Sequence, residues 1–410
     1  MLLTVNLKQI IDAQKTALLE REPGLIRESL TDWPDLRSHA LIVSGIRRCG
    51  KSTLLLQMLN EKYNQALYLN FEEPRLYDFE RNDFTRLDEV IKEFRTNVLL
   101  FDEIQIVPEW ERYARQKLDE GYKLILTGSN ASLLSRELGT KLTGRHVTQE
   151  LFPFSYREFC SFRKLKSSAD SLQQYLDTGG FPEYVKSGRP EILNQLFDDI
   201  LLRDIAVRYS IRDIKTLQRL ALYLVSNTAK LITGNKLRAM FEIGSTSTIM
   251  EYLSYLEYTW LLQFVPKFSH SLKKQLINPR KVYAIDTGFV RANSGSFSDD
   301  QGRLLENLVW LHLRRHYREI YYFAEKKECD FLIFEKGKPG AAIQVCFDLT
   351  PDNLDRELEG LIEAMNAVKL KQGYIITLKQ KDLIEKDGLT VHVLPCHEYM
   401  EWGVPIKVHP

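Results

Sequence analysis

Along the first part of the chain, hydrophobic residues come in short unbroken runs separated by stretches with helical spacing. The runs are Ala40–Ser44, Ala66–Phe71, Val98–Phe101 and Lys123–Thr127. Continuous rather than alternating runs predict strands covered on both faces, as in a parallel sheet wrapped by helices. A further strand-like stretch, His146–Phe152, closes this unit. Polar, helix-patterned sequence follows to about residue 220, with a loop at Lys164–Asp170. The pattern then changes: Leu231–Phe264 predicts short helices and an apolar strand, and Ser294–Asp300 is a loop that marks a late boundary. Beyond it, a helix over Arg303–His316 precedes strands at Tyr321–Ala324, Asp330–Phe334, Ala342–Phe347, Tyr374–Thr377 and Val391–Leu394. This is a second, separate α/β unit.

A chain of 410 residues exceeds one ordinary core, so two or three domains are expected. With 44% hydrophobic and 27% charged residues, the composition is that of a globular protein. The net charge of +1 gives no global polyelectrolyte signal, so any nucleic-acid surface must be local. No apolar run approaches membrane-spanning length, and the start Met1–Gln9 lacks the pattern of a signal peptide. The five cysteines are scattered without a C-x-x-C pair, which predicts free thiols and a cytoplasmic location.

The chemistry concentrates in one loop. Gly45-Ile46-Arg47-Arg48-Cys49-Gly50-Lys51-Ser52 fits G-x-x-x-x-G-K-[ST] and lies between the run Ala40–Val43 and the helix-like Thr53–Leu59. Strand, Gly-rich turn and helix start is the context a phosphate loop requires. Backbone N–H groups and the positive helix end would hold phosphates. Lys51 would reach the β- and γ-phosphates of ATP, and Ser52 would bind Mg²⁺, with Thr53 ending the loop segment. Arg47 and Arg48 are expected to face solvent or a partner.

The second signal is the apolar strand ending in Asp102-Glu103. Asp102 is assigned to Mg²⁺ through water, beside Ser52, and Glu103 to polarising the attacking water. The third is Gly128-Ser129-Asn130 at the end of the next strand. Asn130 is the candidate to reach between the γ-phosphate and water, with Ser129 as the alternative; the same three residues also form a good turn on their own.

These motifs occur together with Leu142-Thr143-Gly144-Arg145 and Pro153-Phe154-Ser155-Tyr156-Arg157-Glu158-Phe159. In this order they resemble a large prokaryotic family of AAA-type ATPases, close to the archaeal ATPases, that commonly carry a C-terminal domain of unknown function. The resemblance implies a glutamate-dependent P-loop ATPase with an extra strand between the loop strand and the acid strand. Leu67–Phe71 lies between them in sequence and is the candidate for it. It also implies an arginine finger at Arg145, supplied to a neighbour in a homo-oligomer. A structural arginine at a turn, or one held in an ion pair within the chain, is the other reading.

Thr233–Leu253 has helix–turn–helix rhythm. Ser245 or Thr246 caps a second helix whose Ile249, Leu253 and Leu256 face a core, and Leu261–Val265 and Lys281–Ile285 supply strands for a wing. The second helix lacks the Arg, Asn or Gln of a base-reading helix, so DNA and protein stay open as its partner. Lys267, Lys273, Lys274, Arg280 and Lys281 are candidate phosphate contacts. The last unit resembles a restriction-endonuclease-like fold. Glu306 and Asp330 take two acid positions, but Gln344 stands for a carboxylate and Cys346 for the lysine, so nuclease activity is not expected. His312 and His316 are four apart without a third ligand and are expected to be an ordinary, partly exposed helix face.

The fold class is therefore α/β: a P-loop NTPase parallel sheet (residues 1–160), a helical lid or linker (161–220), a winged-helix region (221–293) and a smaller nuclease-like domain (301–400). The expected function is an ATP-hydrolysing switch acting on a macromolecular partner, with DNA as the candidate. An ATP-binding scaffold with little hydrolysis is the alternative.

Overall fold

The computed structural model describes residues 3–30, 36, 38–131, 142, 144–294 and 300–401. Most of the boundary loop at 294–300 and Thr143 of the Leu142–Arg145 motif lie outside them. The chain divides into two compact units: residues 1–152 with Tyr258–Trp260, and residues 153–257 with 261–410.

The first unit is built on five parallel strands: β1 (Ala40–Ser44), β2 (Leu67–Asn70), β3 (Val98–Asp102), β4 (Lys123–Gly128) and β5 (His146–Glu150). Their spatial order is β2-β3-β4-β1-β5. All residues of β1 and β3 are buried, as expected for strands covered on both faces. Among the described residues, four α-helices belong to this unit: α1 (Thr4–Leu19), α2 (Lys51–Glu61), α3 (Asp83–Phe94) and α4 (Trp110–Asp119). In α3 the buried Phe84, Leu87, Val90 and Ile91 recur at helical spacing. The sequence reading did not anticipate α1, whose buried Leu7, Ile10, Ile11 and Leu18 form such a stripe. Its Gln14 exchanges two hydrogen bonds with the Asn70 backbone (3.0 and 2.8 Å), which occupies polar groups of the edge strand β2.

One expectation is corrected by the strand order. The strand between β1 and β3 in space is β4, not Leu67–Phe71, which forms the outer edge. Sequence order suggested the wrong strand because parallel strands are joined by crossovers that need not insert between neighbours.

The second unit begins with helices α5 (Tyr156–Arg163), α6 (Ala169–Thr178), α7 (Pro182–Ser187) and α8 (Glu191–Asp199), the last running into a π-helix at Ile200–Val207. Ser155 and Ser168 start α5 and α6 with capping boxes. Then follow α9 (Ile214–Ser226), β6 (Leu231–Ile232), α10 (Gly234–Met240), α11 (Thr246–Tyr258), β7 (Leu262–Pro266), α12 (Leu272–Ile277) and β8 (Arg280–Ala284). The three strands form an antiparallel sheet in the order β6-β8-β7. Ser245 accepts the Thr248 N–H at 3.1 Å, and Ile249, Leu253 and Leu256 are the buried face of α11.

After α13 (Thr287–Asn293), α14 (Gln301–His316) leads into a mixed sheet of β9 (Glu319–Ala324), β10 (Glu328–Glu335), β11 (Lys338–Val345), β12 (Gln372–Thr377), β13 (Asp382–Lys386) and β14 (Leu389–Pro395). Its order is β13-β14-β12-β11-β10-β9, with β11, β12 and β14 parallel. Helix α15 (Pro351–Val368) bridges β11 and β12, and α16 (Cys396–Glu401) follows β14. No helix among the described residues is long and apolar enough to cross a membrane. All five cysteines are free and buried.

Candidate functional site

Because β1, β3 and β4 are parallel, their carboxyl ends share one edge of the sheet, the edge where ligands bind in open α/β folds. The phosphate-loop motif leaves β1 there. Two of its glycines are required by geometry. A Cβ on Gly45 would sit 2.0 Å from the Leu151 carbonyl oxygen, and Gly50 has φ +105° directly before α2. Arg48 also adopts a positive φ and is exposed, while Arg47 is partly buried and pairs with Glu72 at 2.8 Å. Ile46 and Cys49 are buried beneath the loop, and Thr53 is exposed on the first turn of α2.

Lys51 is 5% exposed. Its Nζ donates to the Gly45 and Ile46 carbonyls at 3.1 and 3.3 Å and lies 3.3 Å from Glu103 Oε1. Burial would lower its pKa, but the charges of Glu103 and Asp102 outweigh it and hold it above its ordinary value. Ser52 Oγ donates to Asp102 Oδ2 at 2.6 Å, and Asp102 also accepts Tyr68 Oη at 3.0 Å and the Thr127 hydroxyl. Burial, then the neighbouring Glu103 charge, raise the Asp102 pKa against the pull of Ser52 and Thr127.

Glu103 has φ +53°, an uncommon backbone for a glutamate. Its backbone N–H donates to Thr127 Oγ1 at 3.2 Å, and its carboxylate accepts the Ser129 N–H at 3.1 Å and the Gln105 amide. Burial pushes Glu103 up, but Lys51 and Gln105 outweigh it and hold the carboxyl below its usual range. Asn130 is buried after β4, and its carbonyl accepts Ser44 Oγ at 3.2 Å. Five predicted residues, Lys51, Ser52, Asp102, Glu103 and Asn130, thus meet at one sheet edge.

Arg145 does not join them. It precedes β5, whose first residue pairs with Ala40 at the start of β1, so it lies at the opposite edge from the loop. Its guanidinium pairs with Asp119 at 2.6 Å. At about 3.3 Å per strand residue, the length of β1 alone separates the two edges by roughly 13 Å. A role for Arg145 toward the phosphate site of its own chain is thereby removed.

Several contributors were not legible in the sequence. Tyr68 and Thr127 orient Asp102 from neighbouring strands. Arg27, 4% exposed, donates to the Cys49 carbonyl at 2.8 Å and the Phe152 carbonyl at 2.7 Å, bracing the loop from beneath.

The second unit holds a different cluster. Lys281 Nζ on β8 lies 3.0 Å from Glu306, 2.7 Å from Asp330 and 2.6 Å from Glu328. Tyr283 Oη donates to Glu306 at 2.7 Å, the Asp330 N–H donates to Gln344 Oε1 at 3.2 Å, and Gln344 donates to Glu357 at 2.6 Å. Glu306, Asp330 and Gln344 do come together, with an ammonium among them. Lys281 is 3% exposed in its side chain, which corrects its assignment as a phosphate contact. Cys346 lies apart from Lys281, with its thiol on the Asp348 carbonyl. His312 is buried rather than partly exposed, and burial first and the nearby His316 second lower its pKa to about 3. No group of three or more His, Cys, Asp or Glu among the described residues is disposed to hold a metal ion.

Residues 37–160 match the model of an AAA domain. Residues 169–300 and 301–399 match two domains of unknown function, DUF8612 and DUF4143. An uncharacterized protein of Methanocaldococcus jannaschii, MJ1544, is 33% identical over 80% of this chain and 79% of its own length. An uncharacterized protein of Haemophilus influenzae is 32% identical over 85% of this chain and 92% of its own. Among solved structures, the replication initiator DnaA bound to AMPPCP and single-stranded DNA aligns at 14% identity and TM-score 0.28, covering 59% of this chain and 85% of that one. Cdc6p from Pyrobaculum aerophilum aligns at 14% identity and TM-score 0.26, covering 67% and 90%.

Proposed function

We propose, because this chain belongs to the family that joins an AAA domain to DUF8612 and DUF4143, that it is an ATP-binding and ATP-hydrolysing switch acting on a macromolecular partner, with DNA as the first candidate. The observation that carries the reading is the meeting of Lys51, Ser52, Asp102, Glu103 and Asn130 at one sheet edge, next to a glycine-bounded helix start.

In this reading the loop N–H groups and α2 hold the phosphates, and Lys51 exchanges its loop carbonyls for phosphate oxygens. Ser52 Oγ and the Asp102 carboxylate are hard oxygen donors already 2.6 Å apart, a set that suits Mg²⁺. When bound there, Mg²⁺ supplies charge neutralisation to the phosphate oxygens. Tyr68 and Thr127 fix the Asp102 carboxylate. Glu103, held ionised, accepts the proton of the attacking water, and Asn130 positions that water. Arg145 acts only toward a neighbouring copy.

The order α9-β6-α10-α11-β7-α12-β8, with the short α12 between the two wing strands and the sheet order β6-β8-β7, supports a winged helix over residues 221–293. The alignment of Glu306, Asp330 and Gln344 supports a nuclease-like ancestry for residues 301–400. The ammonium at its centre and the displaced Cys346 support a domain that does not cut.

One observation favours the scaffold reading: the Glu103 carboxylate is engaged by Lys51, Gln105 and the Ser129 N–H. Phosphate release by the full chain, with and without double-stranded DNA, separates the two. The Glu103→Gln variant should keep ATP affinity and lose turnover by roughly a hundredfold or more, the scale of a general base. Normal turnover in that variant sinks the assignment. Assembly with ATP but negligible phosphate release from the wild type favours the scaffold.

A further inference from the structure

Trp260 stands out on backbone, burial and connectivity together. It has φ +66°, a left-handed conformation unfavourable for a bulky side chain, yet it is 3% exposed. Strain of this kind persists where the surroundings over-determine the residue. Those surroundings are the base of the phosphate loop. The indole N–H donates to Ser44 Oγ at 3.1 Å, and the Ser44 hydroxyl donates onward to the Asn130 carbonyl at 3.2 Å. Ser44 is the last residue of β1, immediately before Gly45, and its carbonyl accepts the Leu151 N–H at 2.8 Å. The indole also meets Phe152 edge-on, with ring centroids 6.1 Å apart. The Phe152 carbonyl takes the Arg27 guanidinium that braces Cys49. Two routes therefore run from one side chain, one to the loop and one to Asn130, two residues past β4.

The direction of the hydrogen bonds matters. A serine hydroxyl has one proton. Because Trp260 can only donate, Ser44 must accept from it and is left to donate to Asn130. Loss of the indole N–H frees the hydroxyl to rotate and removes what fixes its proton on the Asn130 carbonyl. By chain, Trp260 follows the last residue of α11 after a single intervening residue, so the indole on Ser44 is tethered directly to the end of that helix.

We infer that Trp260 is a positioning residue for ATP turnover, setting Asn130 through Ser44 and linking the phosphate site to the end of α11. The inference rests on the proposed ATPase reading. The test uses the full chain with Trp260→Phe, which keeps an aromatic ring and deletes the donor, Ser44→Ala, and the double variant. Each is measured for affinity to a fluorescent ATP analogue, ATP turnover and thermal midpoint. Trp260→Phe should lower turnover by roughly threefold to tenfold, the scale of one neutral hydrogen bond, with nucleotide affinity within about twofold of wild type. Ser44→Ala should do the same, and the double variant should lose no more than either single one. In 5-fluorotryptophan-labelled protein, the resonance missing from Trp260→Phe should shift when ATP is added, and should stay fixed in Lys51→Ala.

Unchanged turnover in Trp260→Phe, additive losses in the double variant, or a Trp260 resonance unmoved by ATP that demonstrably binds each overturn the inference while leaving the ATPase reading intact. Absence of ATP binding by the wild type overturns both.

Discussion

Replacing Lys281 with methionine removes the ammonium that faces Glu306, Asp330 and Glu328 while keeping most of the side-chain volume. Burial would lower the Lys281 pKa, but Asp330 and then Glu306 outweigh it and raise it well above its ordinary value. Glu328 is half exposed and adds little, so the weight falls on the two buried acids. Breaking a buried pair by removing one partner costs about 3–5 kcal/mol, because the remaining charge is left without compensation. The variant should lose that much in urea unfolding at pH 8. The loss should shrink at pH 6, and the reason is Glu306. Burial first, and Asp330 second, already raise it to about 7 against the pull of Lys281. An acid raised in the folded state stabilises the fold below its unfolded pKa, and that stability is lost as pH rises through the folded value. The wild-type Glu306 gives up its proton between pH 6 and pH 8 and then pairs as a carboxylate with Lys281; without Lys281 the folded value rises further and the proton is held to higher pH, so the two proteins differ more at pH 8 than at pH 6. Equal stability of the two proteins at pH 8, or a larger loss at pH 6 than at pH 8, would refute this account.

Other outcomes follow from the same structure. His312 is neutral and buried with a pKa of about 3, so its stabilisation is complete above the unfolded value of 6.5 and is lost as pH falls toward 3. Acidification from pH 7 to pH 5 should cost about 2 kcal/mol through this residue, and His312→Gln should flatten that part of the stability curve; an unchanged slope counts against it. Arg145→Ala should keep ATP affinity and lose turnover, and mixing it with Glu103→Gln should restore activity, since intact sites form only between the two chains. Full turnover by Arg145→Ala alone, or no recovery on mixing, removes the finger. Tyr68→Phe deletes a donor to Asp102 and should weaken Mg²⁺-dependent turnover by a few-fold at limiting Mg²⁺, the scale of one hydrogen bond to a charged group; a Mg²⁺ dependence identical to wild type speaks against the orienting role.

The parts of the site legible in the sequence are those made by neighbours along the chain. The strand–loop–helix from Ala40 to Glu61 and the acids closing β3 need only local pattern and turn chemistry. The position of Asn130 was legible because it lies in the turn directly after the next strand, β4. What escaped the sequence arrives from far away in it. Tyr68 and Thr127 approach Asp102 from either side, and no spacing rule ties them to it. The order β2-β3-β4-β1-β5 is a property of crossovers, which is why Leu67–Phe71 was misplaced. Lys281 was grouped with solvent-facing lysines because its neighbours along the chain are basic. Its real partners sit on α14 and β10, and only the folded sheet brings them together.

The first unit also has a seam in its chain. It leaves off at Phe152, yet Tyr258–Trp260 belongs to it. In terms of domain shuffling, the AAA portion is not a cassette that can be cut out at its C-terminal boundary. A fragment ending near residue 160 would keep every motif of the nucleotide site and still lack the indole that fills the space between Ser44 and Phe152. A chimera joining this AAA portion to a different partner domain must carry along Tyr258–Trp260, the last residue of α11 and the two after it, or supply an equivalent plug.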